Sequence, residues 1–67
     1  MSIGERLLLA RRRRGLAAWR IAALAQIDPT TYSRIERDER VPSLDQRLAI
    51  ARALEIEPEQ LFEKVHA

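Results

Sequence analysis

With 67 residues, no cysteine and a formal net charge of +2, the chain has room for one small domain, near the lower size limit for folding without a staple. It has no thiol for a disulfide or a thiolate metal site, and its single histidine, His66, reads as a solvated residue at the C-terminus. Apolar runs of only a few residues exclude a membrane span and a secretory signal, so the expected location is the cytoplasm.

The charge is unevenly placed. Residues 1–40 carry nine arginines against Glu5, Asp28, Glu36, Asp38 and Glu39, a net +4. Residues 41–67 carry Arg47, Arg52 and Lys64 against Asp45, Glu55, Glu57, Glu59 and Glu63, a net −2. A basic first half suits a polyanion, and an acidic second half does not.

Ser2 and Glu5 form an S-x-x-E capping box that opens a helix over about residues 3–14, and Gly15 fits its stop. Ile3, Leu7, Ala10 and Arg11 share one face. An unpaired inward charge is expensive, so Arg11 requires a partner, and Glu36, also on an inward face, is the obvious one. Arg12, Arg13 and Arg14 suit the C-terminal dipole of the helix, and Arg14 is also placed to reach a phosphate. Leu7, Leu8 and Leu9 cannot all face one core, so Leu8 or Leu9 is expected at the surface.

Residues 18–25 form a second helix, with Ile21, Ala22, Leu24 and Ala25 at helical spacing. Gln26 and Ile27 break it, with Ile27 plugging the core. Asp28 and Pro29 then supply an N-cap and a pre-set first turn for a helix running to about Arg37. Tyr32, Ile35 and Glu36 point one way along that helix. Thr30, Ser33, Arg34 and Arg37 point another, giving a face of short polar side chains followed by cations. Such a face lets a helix approach the DNA major groove closely and reach guanine edges or phosphates. Asp38 tolerates the left-handed backbone conformation. Asp38 and Glu39 put negative charge where a phosphate would approach, flanked by Arg37 and Arg40.

After Pro42, Ser43 and Gln46 make a second capping box that opens a helix over about 44–54, with Leu44, Leu48, Ala51 and Leu54 as its expected core face. Pro58 opens a last helix, about 58–64, anchored by Leu61 and Phe62, with Ile56 filling the gap before it. The expected core is Leu7, Leu16, Ile21, Leu24, Ile27, Ile35, Leu44, Leu48, Leu54, Ile56 and Leu61.

The order and spacing of IGERL (3–7), Arg11, GL (15–16), IAALA (21–25), YSRIER (32–37), PSL (42–44) and IARALEIEPEQLF (50–62) resemble the Cro/C1-type helix-turn-helix family of bacterial and phage repressors, over about residues 2–63. The resemblance implies an all-α, five-helix, lambda-repressor-like fold with its helix-turn-helix at about 18–37, filling residues 1–67 as one domain. It also implies that Arg11 and Glu36 pair between the first and third helices as a structural ion pair. Three departures from the family pattern stand out. Ala17-Ala18 replaces a Thr-Gln pair whose Gln bonds a DNA phosphate, Gln26 replaces a frequent Gly, and Leu8 and Leu9 replace polar residues.

The expected function is sequence-specific binding of double-stranded DNA by a small transcriptional regulator, a phage repressor, a restriction–modification controller or an antitoxin. Pro29, Thr30, Thr31, Ser33 and Arg34 are the candidate base readers. Arg14, Trp19, Arg20, Arg37, Arg40 and Ser43 are the candidate phosphate contacts, with Trp19 alternatively covering Leu8 or Leu9. One recognition helix reads only a few base pairs, which favours a homodimer on a pseudo-palindromic operator. The resemblance puts its interface around residues 55–65, with Phe62 and Val65 as apolar contacts. The alternative is an antitoxin or adaptor module whose main partner is a protein. No Ser/His/Asp set, metal-ligand cluster or Gly-rich phosphate loop marks an enzyme, and no cofactor is expected.

Overall fold

The computed structural model describes residues 1–62 and, among them, is all-helical: α1 (Ile3–Arg13), α2 (Ala18–Ala25), α3 (Pro29–Glu36), α4 (Leu44–Leu54) and α5 (Pro58–Phe62). The sequence expectation of a fifth helix to residue 64, and the interface residue Val65, lie partly or wholly outside the described residues.

Helix starts are set by local side-chain chemistry. Ser2 Oγ accepts the Glu5 N–H at 3.1 Å while Glu5 Oε1 accepts the Ser2 N–H at 2.9 Å. Ser43 and Gln46 repeat this reciprocal arrangement at α4, at 3.1 and 2.9 Å. Asp28 Oδ2 accepts the N–H groups of Thr30 and Thr31 at 2.9 and 3.3 Å, behind Pro29 in the first turn of α3. Each pairing satisfies amides that the helix itself leaves without a partner.

The stops of α1 to α4 share one device. Gly15, Gln26, Asp38 and Glu55 take positive φ, between 57° and 66°. The next residue's N–H then returns to a carbonyl five residues back: Leu16 to Arg11, Ile27 to Ala22, Glu39 to Arg34 and Ile56 to Ala51. This is the six-to-one hydrogen bond of the Schellman motif. Leu16, Ile27 and Ile56 turn inward at these corners and join or flank the core.

The core is Leu7, Ile21, Ala22, Ala25, Ile27, Tyr32, Ile35, Ile50, Ala51, Leu54 and Leu61. Helix α2 packs on both α3 and α4, α1 on α3 and α5, and α4 on α5. Three expected core residues are corrected. Leu24 is 54 % exposed, Leu44 69 % and Leu48 42 %. In α2 the buried stripe is Ile21, Ala22 and Ala25, which turns Leu24 toward the outer edge of the α2–α4 contact. In α4 the stripe is Ile50, Ala51 and Leu54, so the neighbouring apolar stripe of Leu44 and Leu48 faces outward. Helix α4 carries apolar residues around most of its circumference, and packing against α2 and α5 selects between two stripes that share Ala51 and Leu54. Leu9 is the exposed member of the leucine run, while Leu8 is half-buried.

Candidate nucleic-acid interface

Tyr32 and Ile35 are fully buried and fix the rotation of α3 about its axis. That rotation exposes Pro29, Thr30, Arg34 and Arg37 and leaves Thr31 and Ser33 half-buried. Thr30, Arg34 and Arg37 follow one another at i, i+4, i+7, so hydroxyl, guanidinium and guanidinium line a single outer stripe. The Asp28 carboxylate is engaged by the first-turn amides of α3, beside the exposed Thr30 and the half-buried Thr31.

A charged network locks α3 to α1. Arg11 Nε donates to Glu36 Oε2 at 2.6 Å, and its Nη2 donates to Glu36 Oε1 at 3.2 Å. Arg11 Nη1 donates to the Leu16 carbonyl at 2.9 Å, and the Tyr32 hydroxyl donates to Glu36 Oε2 at 2.7 Å. The Arg11 and Glu36 side chains are only 16 % and 11 % exposed. The hydrogen bond to Glu36 holds the Arg11 pKa above its ordinary value, against the opposing effect of burial. Burial first, and the adjacent Glu36 carboxylate second, push the Tyr32 phenol well above its ordinary range. Tyr32 was legible as an inward residue, but its place in the ion pair follows from Glu36 lying one turn further along α3 and bending back to it.

At α2 the N-cap is Ala17, which offers no side-chain acceptor to the first-turn amides. Trp19, 65 % exposed, and Arg20, also exposed, flank this end. Arg14 is exposed and pairs with Glu55 at 3.4 Å, which ties the end of α1 to the end of α4. Arg40 and Ser43 are exposed on the α3–α4 connection, and the Ser43 side chain is engaged as the α4 cap.

The two acids after α3 have different roles, and neither was legible as such. Asp38 turns to α1: its Oδ1 accepts the Gly4 N–H at 2.9 Å and its Oδ2 accepts the Ser2 hydroxyl at 2.6 Å. The Ser2 hydroxyl first and the Gly4 amide second hold the Asp38 carboxyl below its usual range. Its charge is therefore spent on the start of α1 rather than presented at the outer stripe. Glu39 grips Arg37 instead, through Nε and Nη2 at 3.1 and 3.2 Å. That pairing holds the Glu39 carboxyl low, with a smaller contribution from Arg34.

Between α4 and α5, Arg47 Nε donates to the carbonyl of buried Pro42 at 3.2 Å, and its guanidinium lies 5.8 Å from the Phe62 ring centroid. Phe62 is thus half-buried beneath Arg47 and against the core. Among the described residues no group of acids and histidines is arranged to hold a metal ion, and no helix is long and apolar enough to cross a membrane.

A helix-turn-helix domain model matches residues 2–63. The crystal structure of the restriction-modification controller protein C.AhdI from Aeromonas hydrophila superposes with a TM-score of 0.87 at 38 % identity, covering 90 % of this chain and 91 % of that one. No curated protein is significantly similar to the chain. The α2–turn–α3 unit, its solvent-facing polar stripe and these matches agree: the chain belongs to the helix-turn-helix domain family, as a Cro/C1-type DNA-binding regulator.

Proposed function

We propose that the protein is a sequence-specific regulator of transcription that inserts α3 into the major groove of double-stranded DNA, as a controller or repressor. The observation that carries this reading is the outer stripe of α3, where Thr30, Arg34 and Arg37 project while Tyr32 and Ile35 anchor the helix from behind. Arg34 is the principal base reader, most suited to the O6/N7 edge of guanine. Thr30, Thr31 and Ser33 add short hydrogen-bonding groups, and Pro29 fits the close approach at the tip. Arg14, Trp19, Arg20, Arg37, Arg40 and Ser43 contact the backbone. The match to a restriction-modification controller favours the controller type.

The reading includes a homodimer on a pseudo-palindromic site with half-sites about one helical turn apart, roughly 10 to 10.5 bp. The exposed apolar side chains Val41, Leu44 and Leu48 favour an interface that includes the start of α4. Leu48 borders a shallow groove that also holds Arg52 and Glu57, so each copy of a two-fold pair brings both a cation and a carboxylate to that edge.

Selection of bound fragments from random duplex DNA tests the reading. The expected result is a symmetric motif whose half-site loses preference at one base pair in Arg34→Ala, at a cost of about 1 to 3 kcal/mol. A uniform loss across all sequences would make Arg34 a backbone contact. Binding that ignores salt concentration would favour the adaptor reading, to which exposed Trp19 and Leu9 lend an apolar surface.

A further inference from the structure

We propose that Glu39 is an internal competitor for DNA phosphate: it holds the Arg37 guanidinium in the free protein, and Arg37 engages the backbone only once that grip is released. The inference rests on the DNA-binding reading above and concerns how that interface is regulated.

The geometry is specific. Glu39 takes Arg37 through Nε and Nη2, the forked edge that a phosphate occupies when it binds an arginine with two hydrogen bonds. Both side chains are more than half exposed, at 58 % and 54 %, so the pair lies at the surface a DNA backbone would meet.

The position of Glu39 is fixed by the backbone. Its N–H returns to the Arg34 carbonyl at 2.8 Å, as the corner residues Leu16, Ile27 and Ile56 return to theirs. At those three corners the residue is apolar and packs on the core. At the end of α3 the same site carries a carboxylate, turned outward and within the field of both Arg37 and Arg34.

A corner built this way lowers affinity for any phosphate backbone. The cost of separating Glu39 from Arg37 falls on random DNA and on the operator alike. The Arg34 base contact offsets it only where the base sequence is right. Glu39 thereby weakens charge-driven binding, which is blind to sequence, by the same factor at every site, and leaves the operator's margin over random DNA to the Arg34 base contact.

A thermodynamic cycle on a fluorescein-labelled mixed-sequence duplex tests this, using wild type, Glu39→Gln, Arg37→Ala and the double variant at low salt. Both positions of change are at the surface, and far-UV circular dichroism verifies that each variant folds. Glu39→Gln is expected to tighten binding roughly two- to fivefold, the scale of one exposed ion pair. The gain is expected to vanish in the Arg37→Ala background and to shrink as salt rises. An unchanged affinity in Glu39→Gln, with wild type binding the duplex, would overturn the inference and leave the DNA reading standing. So would an equal gain with and without Arg37, which would mark simple repulsion between Glu39 and DNA. A wild type that binds no duplex would remove the DNA reading and this inference together.

Discussion

Asp38, at the end of α3, caps the start of α1 by accepting the Gly4 N–H at 2.9 Å, across 34 residues of sequence. The contact requires the two helix ends to lie almost on top of one another. Gly4 permits it, because a Cβ there would collide with the Glu36 carbonyl oxygen and sit 2.9 Å from the Asp38 carboxyl group.

Gly4→Ala is therefore expected to destabilise the fold by about 1 to 3 kcal/mol, toward the upper end, because the obstacle is backbone that cannot step aside. Gly15→Ala is the comparison: φ is +66° but nothing lies within 4 Å, so only the left-handed strain of about 1 kcal/mol is expected. Urea unfolding of the two variants ranks them. Equal costs would contradict the close approach at Gly4.

The same contact makes stability depend on pH. The Asp38 carboxyl is held low in the folded chain, so folding favours its ionised form. The stabilisation is fully present above the ordinary aspartate range and is lost as pH falls through the lowered folded value. Asp38→Asn is expected to flatten the acid limb of the stability–pH curve, measured by thermal melting between neutral and acidic buffers. An acid limb identical to wild type would place the pH dependence elsewhere.

Tyr32 titrates in the opposite sense. Burial and the Glu36 carboxylate hold its phenol protonated, so stability is full below the ordinary phenol range and falls as pH rises above about 10. The chain has one tyrosine, so phenolate absorbance reports this group alone, and it is expected to appear only with unfolding. Tyr32→Phe removes one hydrogen bond to a charged acceptor at 2.7 Å and is expected to cost about 1.5 to 3 kcal/mol in chemical denaturation. A phenol that titrates freely in the folded protein would refute the arrangement.

Helix α4 offers a test of its rotational setting. Ile50→Ala empties a fully buried position and is expected to cost about 2 to 5 kcal/mol, whereas Leu48→Ala, at a position 42 % exposed, is expected to cost less than about 1 kcal/mol in the monomer. The reverse order would return the helix to the Leu44/Leu48 stripe.

Three helix starts were legible in the sequence alone, because their chemistry spans only a few residues: Ser2 with Glu5, Asp28 with Pro29, Ser43 with Gln46. The polar stripe of α3 was legible for the same reason, since one turn of helix places Thr30, Arg34 and Arg37 together whatever the rest of the chain does. Even the Arg11–Glu36 contact could be anticipated, because an inward charge without a partner is too costly to persist. Tertiary structure decided what short-range chemistry leaves open. The apolar residues of α4 surround its axis, so only packing against α2 and α5 could choose Ile50 over Leu44 and Leu48. The two adjacent acids after α3 look equivalent in the sequence. Close packing of α1 beside α3 brings the Gly4 amide and the Ser2 hydroxyl within reach of Asp38 and leaves Glu39 facing solvent and Arg37, so one carboxylate joins two helices and the other pairs at the surface.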